Sequence, residues 1–236
     1  MQWHIIELES TDSTNDEAKR IAEKHDGLIA VRTNSQTAGR GQYGRQWTSP
    51  PGKNLLVTYS IPLTMVATPS LLSLNAGVVV HSIIREYGLP VYCKWPNDLI
   101  VSGNKIAGIL IERDADRCYV GIGLNGNWPE TKVTTEDGKG ITGIKNETGK
   151  KIDIRLLCKD IRTRLLECIT LSADKILARY RPVWNDAGKQ VKVMKADTWY
   201  PGTIHDINMD GTLTVITEMN TEIVVVSSTQ ITMETE

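Results

Sequence analysis

The chain has 236 residues, 40% of them hydrophobic, and its 27 Lys+Arg against 28 Asp+Glu leave a net charge of −1. That length and apolar share support one large core, or a large core and a small one. The balanced charge excludes a general nucleic-acid binder, which needs clustered cations to neutralise phosphates. No apolar run approaches the ~20 residues that cross a bilayer, and residues 1–6 do not read as a signal peptide, so no membrane is expected.

Residues 3–8 read as a short strand, and a polar stretch ending in Ser13-Thr14-Asn15 leads into a helix over 16–25. Thr14-x-x-Glu17 has capping-box spacing, and Ala18, Ile21 and Ala22 form an inward stripe. Residues 28–33 and 54–61 read as strands, the second with Leu55, Val57 and Tyr59 on one face. Residues 71–87 form an apolar helix, closed by Gly88-Leu89-Pro90. Residues 91–101 and 104–112 are expected to form one hairpin around Ser102-Gly103, with 118–124 as a third strand. Residues 131–150 are polar and are expected to form a surface loop.

An amphipathic helix over 152–169 carries Ile154, Leu157, Ile161, Leu165 and Ile169, and Ser172 caps another over 172–184. Composition changes at Asn185-Asp186-Ala187-Gly188, dividing the chain into 1–184 and 185–236. Short strands at 190–194, 199–207, 212–217 and 222–226 suggest a small five-stranded barrel. Cys93, Cys118, Cys158 and Cys168 lie on apolar runs without a C-x-x-C pair, which predicts buried reduced thiols in a cytoplasmic protein.

The chemistry gathers around residues 34–47, NSQTAGRGQYGRQW. Gly39, Gly41 and Gly44 alternate with Arg40 and Arg45, and Trp47 closes the run. Such a loop brings backbone N–H groups and guanidinium forks against an anion. The glycines also fit G-x-G-x-x-G, but a dinucleotide fingerprint needs a helix to open there, and Pro50-Pro51-Gly52 opens none. The expectation is a flexible cationic loop between two strands.

Three clusters accompany the loop. Ser13-Thr14-Asn15 with Gln36 suits a neutral polar ligand such as an amide or urea. Lys94 stands in Lys94-Trp95-Pro96-Asn97-Asp98 on an apolar strand, where it either faces solvent or serves a charge. Gly108, Gly121 and Gly123 would leave a flat hollow on one sheet face.

Taken in order, Ser13-Thr14-Asn15, Gln36-Thr37-Ala38-Gly39-Arg40-Gly41, Gly44-Arg45-Gln46-Trp47, Lys94-Trp95-Pro96-Asn97-Asp98-Leu99, Lys105-Ile106-Ala107-Gly108-Ile109-Leu110 and Gly121-Ile122-Gly123-Leu124-Asn125 resemble the biotin protein ligase family. The match runs from about residue 10 to 127. It implies activation of biotin by ATP as biotinyl-5′-AMP and transfer to a lysine of a biotin carboxyl carrier protein. It implies an α+β fold: a mixed sheet packed with helices, class II synthetase-like, plus an SH3-like barrel.

By the same resemblance, Ser13, Thr14, Asn15, Gln36, Arg40, Gly41, Gln42, Lys94, Gly108, Gly121 and Gly123 would hold biotin. Gly39, Arg40, Gly41, Gln42, Arg45, Trp47, Asn97, Lys105 and Asn125 would hold ATP or the adenylate. Lys94, Arg40 and Arg45 would carry catalysis, with Mg²⁺ bridging phosphates. Asp98 would bind that Mg²⁺, hold Lys94, or shape the turn beside Pro96. Gln42 stands where the family pattern often has arginine, which implies a changed hold on the adenylate.

Lipoate ligases and octanoyl transferases look similar in fold, but would use a longer apolar tunnel and no urea-reading cluster. Some biotin ligases carry an N-terminal helix-turn-helix; motifs beginning near residue 10 leave no room for one. A non-catalytic interaction module built on the C-terminal barrel would leave the cation cluster unexplained.

Overall fold

In the computed structural model, described over residues 2–129 and 140–233, seven strands form one mixed sheet. These are β1 (Trp3–Thr11), β2 (Leu28–Gln36), β3 (Leu55–Pro62), β4 (Val91–Lys94), β5 (Asp98–Val101), β6 (Asn104–Arg113) and β7 (Arg117–Leu124). Their order is β1-β2-β3-β7-β6-β5-β4. β1 and β2 are parallel, and α1 (Thr14–Ala22) supplies the crossover that a parallel pair requires.

Alternation gives the sheet two faces. Leu55, Val57, Tyr59 and Ile61 of β3 join Val120, Ile122 and Leu124 of β7 in the main core. The helices α2 (Leu72–Glu86), α4 (Ile154–Cys168) and α5 (Ala173–Tyr180) feed that core; α3 (Ile144–Thr148) is a short turn of helix. Each fully buried Leu, Ile or Val contributes about 1.5–3 kcal/mol. α2 stops before Gly88, whose φ of 79° glycine adopts without strain. On the other face, α1 packs Ala18 against Ile29, Val31 and Tyr119. The remainder of that face carries Leu56, Gly108, Gly121 and Gly123 and holds the site.

Four expectations change. The Thr14–Glu17 capping box does not form, because the Thr14 hydroxyl donates instead to Gln36 Oε1 at 3.1 Å. α1 begins at Thr14 and ends at Ala22, short of residue 25. Residues 91–101 are two strands, β4 and β5, antiparallel with Lys94 opposite Asp98. Trp95-Pro96-Asn97 turns between them, since proline has no N–H for a ladder. Part of the expected loop 131–150 lies outside the described residues; its remainder contains α3 with Ile144 fully buried.

A second, antiparallel sheet follows: β8 (Gln190–Lys195), β9 (Thr198–Ile207), β10 (Leu213–Thr217), β11 (Glu222–Val225) and β12 (Ile231–Met233). Its order is β11-β10-β9-β8-β12, and the short β12 completes the five strands that four sequence segments left unfinished. Buried Asp186 ties the two sheets together, accepting from Trp95 N (3.0 Å), Trp184 Nε1 (3.1 Å) and Lys189 Nζ (3.0 Å). Trp95 Nε1 donates to Gly211 O at 2.9 Å. All four cysteines are buried and unbridged, as their apolar runs suggested.

Candidate active site

A cavity of about 990 Å³ opens on the uncovered sheet face. Every residue expected to touch a ligand lines it except Gly39. Gly39 is buried within the loop, where a Cβ would stand 2.5 Å from Trp47 O and 2.8 Å from Gln36 Nε2. Its place lets the loop fold back on itself.

One end of the cavity is a neutral, buried network. Gln36 Oε1 accepts from Thr14 N at 2.8 Å, and the Thr58 and Thr14 hydroxyls are 2.8 Å apart. Thr58 Oγ1 donates to Asn15 Oδ1 at 2.6 Å, and Asn15 Nδ2 donates to Glu112 Oε2 at 2.8 Å. Gly121 admits this approach: a Cβ there would lie 2.5 Å from Asn15 Oδ1.

The floor is a cross-strand row running Lys94, Asp98, Gly108 and Gly123 across β4, β5, β6 and β7. The expected hollow is filled by the chain itself. The Trp47 indole lies on the glycines, and a Cβ would stand 2.9 Å from its ring at Gly108 and 2.8 Å from its Nε1 at Gly123. Lys105 Nζ sits 5.4 Å from the Trp47 ring centroid and 2.6 Å from Asp98 Oδ1.

The loop is a small folded unit with no helix after it, which disposes of the dinucleotide reading. Gly41 N donates to Arg45 O at 2.7 Å, and Trp47 N donates to Gly39 O at 2.9 Å. Tyr43 at its tip accepts from Ser227 Oγ of the C-terminal sheet region at 2.9 Å. The Arg40 fork grips Asp16 through two nitrogens and reaches both Glu112 oxygens at 3.2 Å. Lys19 Nζ adds a contact to Glu112 at 3.1 Å. The Arg40 hydrogen bonds hold the Asp16 carboxyl below the usual range and raise Arg40 in turn. Burial pushes Glu112 up, but hydrogen bonds from Asn15 and Lys19 outweigh it and leave Glu112 low. Arg45 is exposed, and Lys94 is half-buried at the end of β4.

Two expected nucleotide ligands, Asn97 and Asn125, line the cavity and also brace it. Asn97 Nδ2 donates to Ile109 O at 2.9 Å. Asn125 accepts from Asn54 Nδ2 at 3.1 Å and donates to Thr142 O at 3.0 Å. Asp98, the candidate metal ligand, is already ion-paired with Lys105. Among the described residues no three His, Cys, Asp or Glu side chains gather to hold a metal. These residues do not build a metal cage.

Asp16, Thr58 and Glu112 do not line the cavity but hold Asn15 and Arg40, which do, and they carried no motif. Alternation offered one signal, since Glu112 shares a face with Gly108, and Thr58 stands opposite Gly121 across the β3–β7 ladder.

This fold and cavity define a class: residues 6–127, just over half of the chain, match the model of the Biotin/lipoate A/B protein ligase family. The chain belongs to that family. It is 31% identical over 205 residues to the bifunctional ligase/repressor BirA of Bacillus spizizenii, covering 82% of this chain. The chain spans 59% of that relative's length. Biotin protein ligase from Aquifex aeolicus, solved with biotin and ATP, superposes with a TM-score of 0.75 at 25% identity, covering 99% of each chain. The Leishmania major biotin protein ligase, solved with biotinyl-5-AMP, gives 0.68 at 25% identity, covering 95% of this chain and 99% of that one.

Proposed function

We propose that this chain activates biotin with ATP as biotinyl-5′-AMP and transfers the biotinyl group to a lysine of a biotin carboxyl carrier protein. One observation carries this: the neutral cluster of Ser13, Thr14, Asn15 and Gln36, backed by buried Thr58, opens on the same cavity as Arg45 and Lys94. A cyclic urea calls for neutral donors and acceptors. A carboxylate meeting an α-phosphate calls for cations, because two unit charges 4 Å apart repel by about 4 kcal/mol at an effective dielectric of 20. The ligand-bearing relatives above support the same pairing.

In this reading Lys94 neutralises the biotin carboxylate and α-phosphate as they approach. The carboxylate oxygen attacks the α-phosphorus and pyrophosphate leaves. The carrier amine then attacks the acyl carbon and AMP leaves. The loop covers the anhydride against water, with Trp47 beside the adenine. Mg²⁺ would accompany the nucleotide and supply positive charge at its phosphates, and Asp98 is the cavity carboxylate that would hold it.

Residues 1–184 act as the catalytic unit, and 185–236 form the SH3-like unit that adds Trp199 and Ile231 to the cavity wall. Free buried thiols suit the reducing cytoplasm, and no helix among the described residues is long and apolar enough to cross a membrane.

The test is exchange of pyrophosphate into ATP with biotin, lipoate, octanoate or no acid, followed by labelling of a carrier fragment. Exchange with biotin alone is expected. Exchange with lipoate or octanoate alone assigns the site to the other branch of the family, and none with any acid overturns the ligase reading.

A further inference from the structure

We propose that Glu112 is a positioning residue that joins the neutral pocket to the glycine–arginine loop. It fixes the orientation of the Asn15 amide and, together with Asp16, fastens Arg40 at the base of the loop. This rests on the biotin ligase reading for its first half and on loop geometry alone for its second.

Asn15 is 2% exposed, so its amide has to satisfy both ends inside the protein. An ionised carboxylate only accepts hydrogen bonds, so Glu112 Oε2, 2.8 Å away, demands the NH₂ end. The carbonyl end then faces the Thr58 hydroxyl at 2.6 Å. A flipped amide would oppose oxygen to oxygen at Glu112. One carboxylate therefore decides which face the amide shows the cavity.

The same carboxylate takes Arg40 at 3.2 Å through each oxygen, while Asp16 takes Arg40 from α1. Two cations, Arg40 and Lys19, face two anions, Asp16 and Glu112, in this cluster. The Arg40 charge is neutralised where it stands, so Arg40 acts as the fastening of the loop rather than as a counter-charge for phosphate. Glu112 is the group shared by ligand reading and loop attachment.

The test compares full-length Glu112→Ala, Glu112→Gln and Asp16→Asn with wild type. The readouts are the biotin KM and kcat in pyrophosphate exchange, and tryptic cleavage after exposed Arg45 without ligand. Thermal midpoint and circular dichroism check that each variant is folded. Glu112→Ala should raise the biotin KM about tenfold with kcat within about twofold, and speed cleavage about tenfold. Glu112→Gln keeps an acceptor for Asn15 but loses the charge, so cleavage should speed while KM stays within about threefold. Asp16→Asn should speed cleavage and leave the biotin KM alone. Wild-type KM and cleavage in Glu112→Ala, or a loss of kcat with KM unmoved, overturns the proposal. A wild type without biotin-dependent exchange defeats the ligase reading instead. The cleavage arm then still decides: unchanged cleavage in the Glu112 variants overturns the proposal, and faster cleavage upholds its loop half.

Discussion

The two ends of the cavity follow opposite rules. Ser13, Thr14, Asn15 and Thr58 are at most 5% exposed, and Thr14, Asn15 and Thr58 are bonded to one another or to Gln36 and Glu112. At the other end Arg45 is exposed, Lys94 is half-buried, and Lys105 is shared between Asp98 and the Trp47 ring. A closed neutral network is set when the chain folds, and its dry surroundings make each hydrogen bond exacting. A cationic end in contact with solvent is adaptable but screened. Under the proposed function, selection of the acid belongs to the buried end, and rate to the wet one.

The strongest way to break this contrast is Lys94→Ala. Biotin-dependent exchange should fall at least about 100-fold with unchanged circular dichroism; near-normal exchange would take the rate out of the cationic end. Thr58→Val attacks the other end, leaving Asn15 Oδ1 without its donor. It should raise the biotin KM about tenfold with kcat unchanged, and cost about 1–3 kcal/mol in urea unfolding.

Gly123→Ala sharpens the boundary between the two ends. Its methyl would displace the Trp47 indole from the floor, so the KM for ATP should rise about fivefold while that for biotin holds. The smallest effect concerns pH. Asp16 and Glu112 are held below their ordinary values, so their stabilising contribution is full above the unfolded range, about 4, and is lost as pH falls through their lower folded values. The share of the urea midpoint contributed by this cluster should be flat from about pH 8 to 5 and fall below about 4. Glu112→Gln should flatten that fall.

What could be read in advance was local. The missing Cβ of glycine, the alternation of β3 and β7 and the stripe of α4 each act through neighbouring residues, and all were legible. What escaped was long-range or a competition between partners. Arg40 meets Asp16 and Glu112 across 24 and 72 residues, and Thr58 meets Asn15 across 43. The Thr14 hydroxyl had two uses, and Gln36 outcompeted the helix cap. The hollow was inferred from absent side chains, but a large aromatic from another segment settled there.

Strand β7 spends its even-numbered residues, Val120 and Ile122, below the sheet and its odd ones, Gly121 and Gly123, above. A slip of one place along β6 would thrust two branched hydrocarbons upward and drop two bare α-carbons beneath. Misalignment would thus ruin the glycine floor and the core in the same stroke, so natively paired molecules should share one intact cavity, with no stable but malformed population beside them.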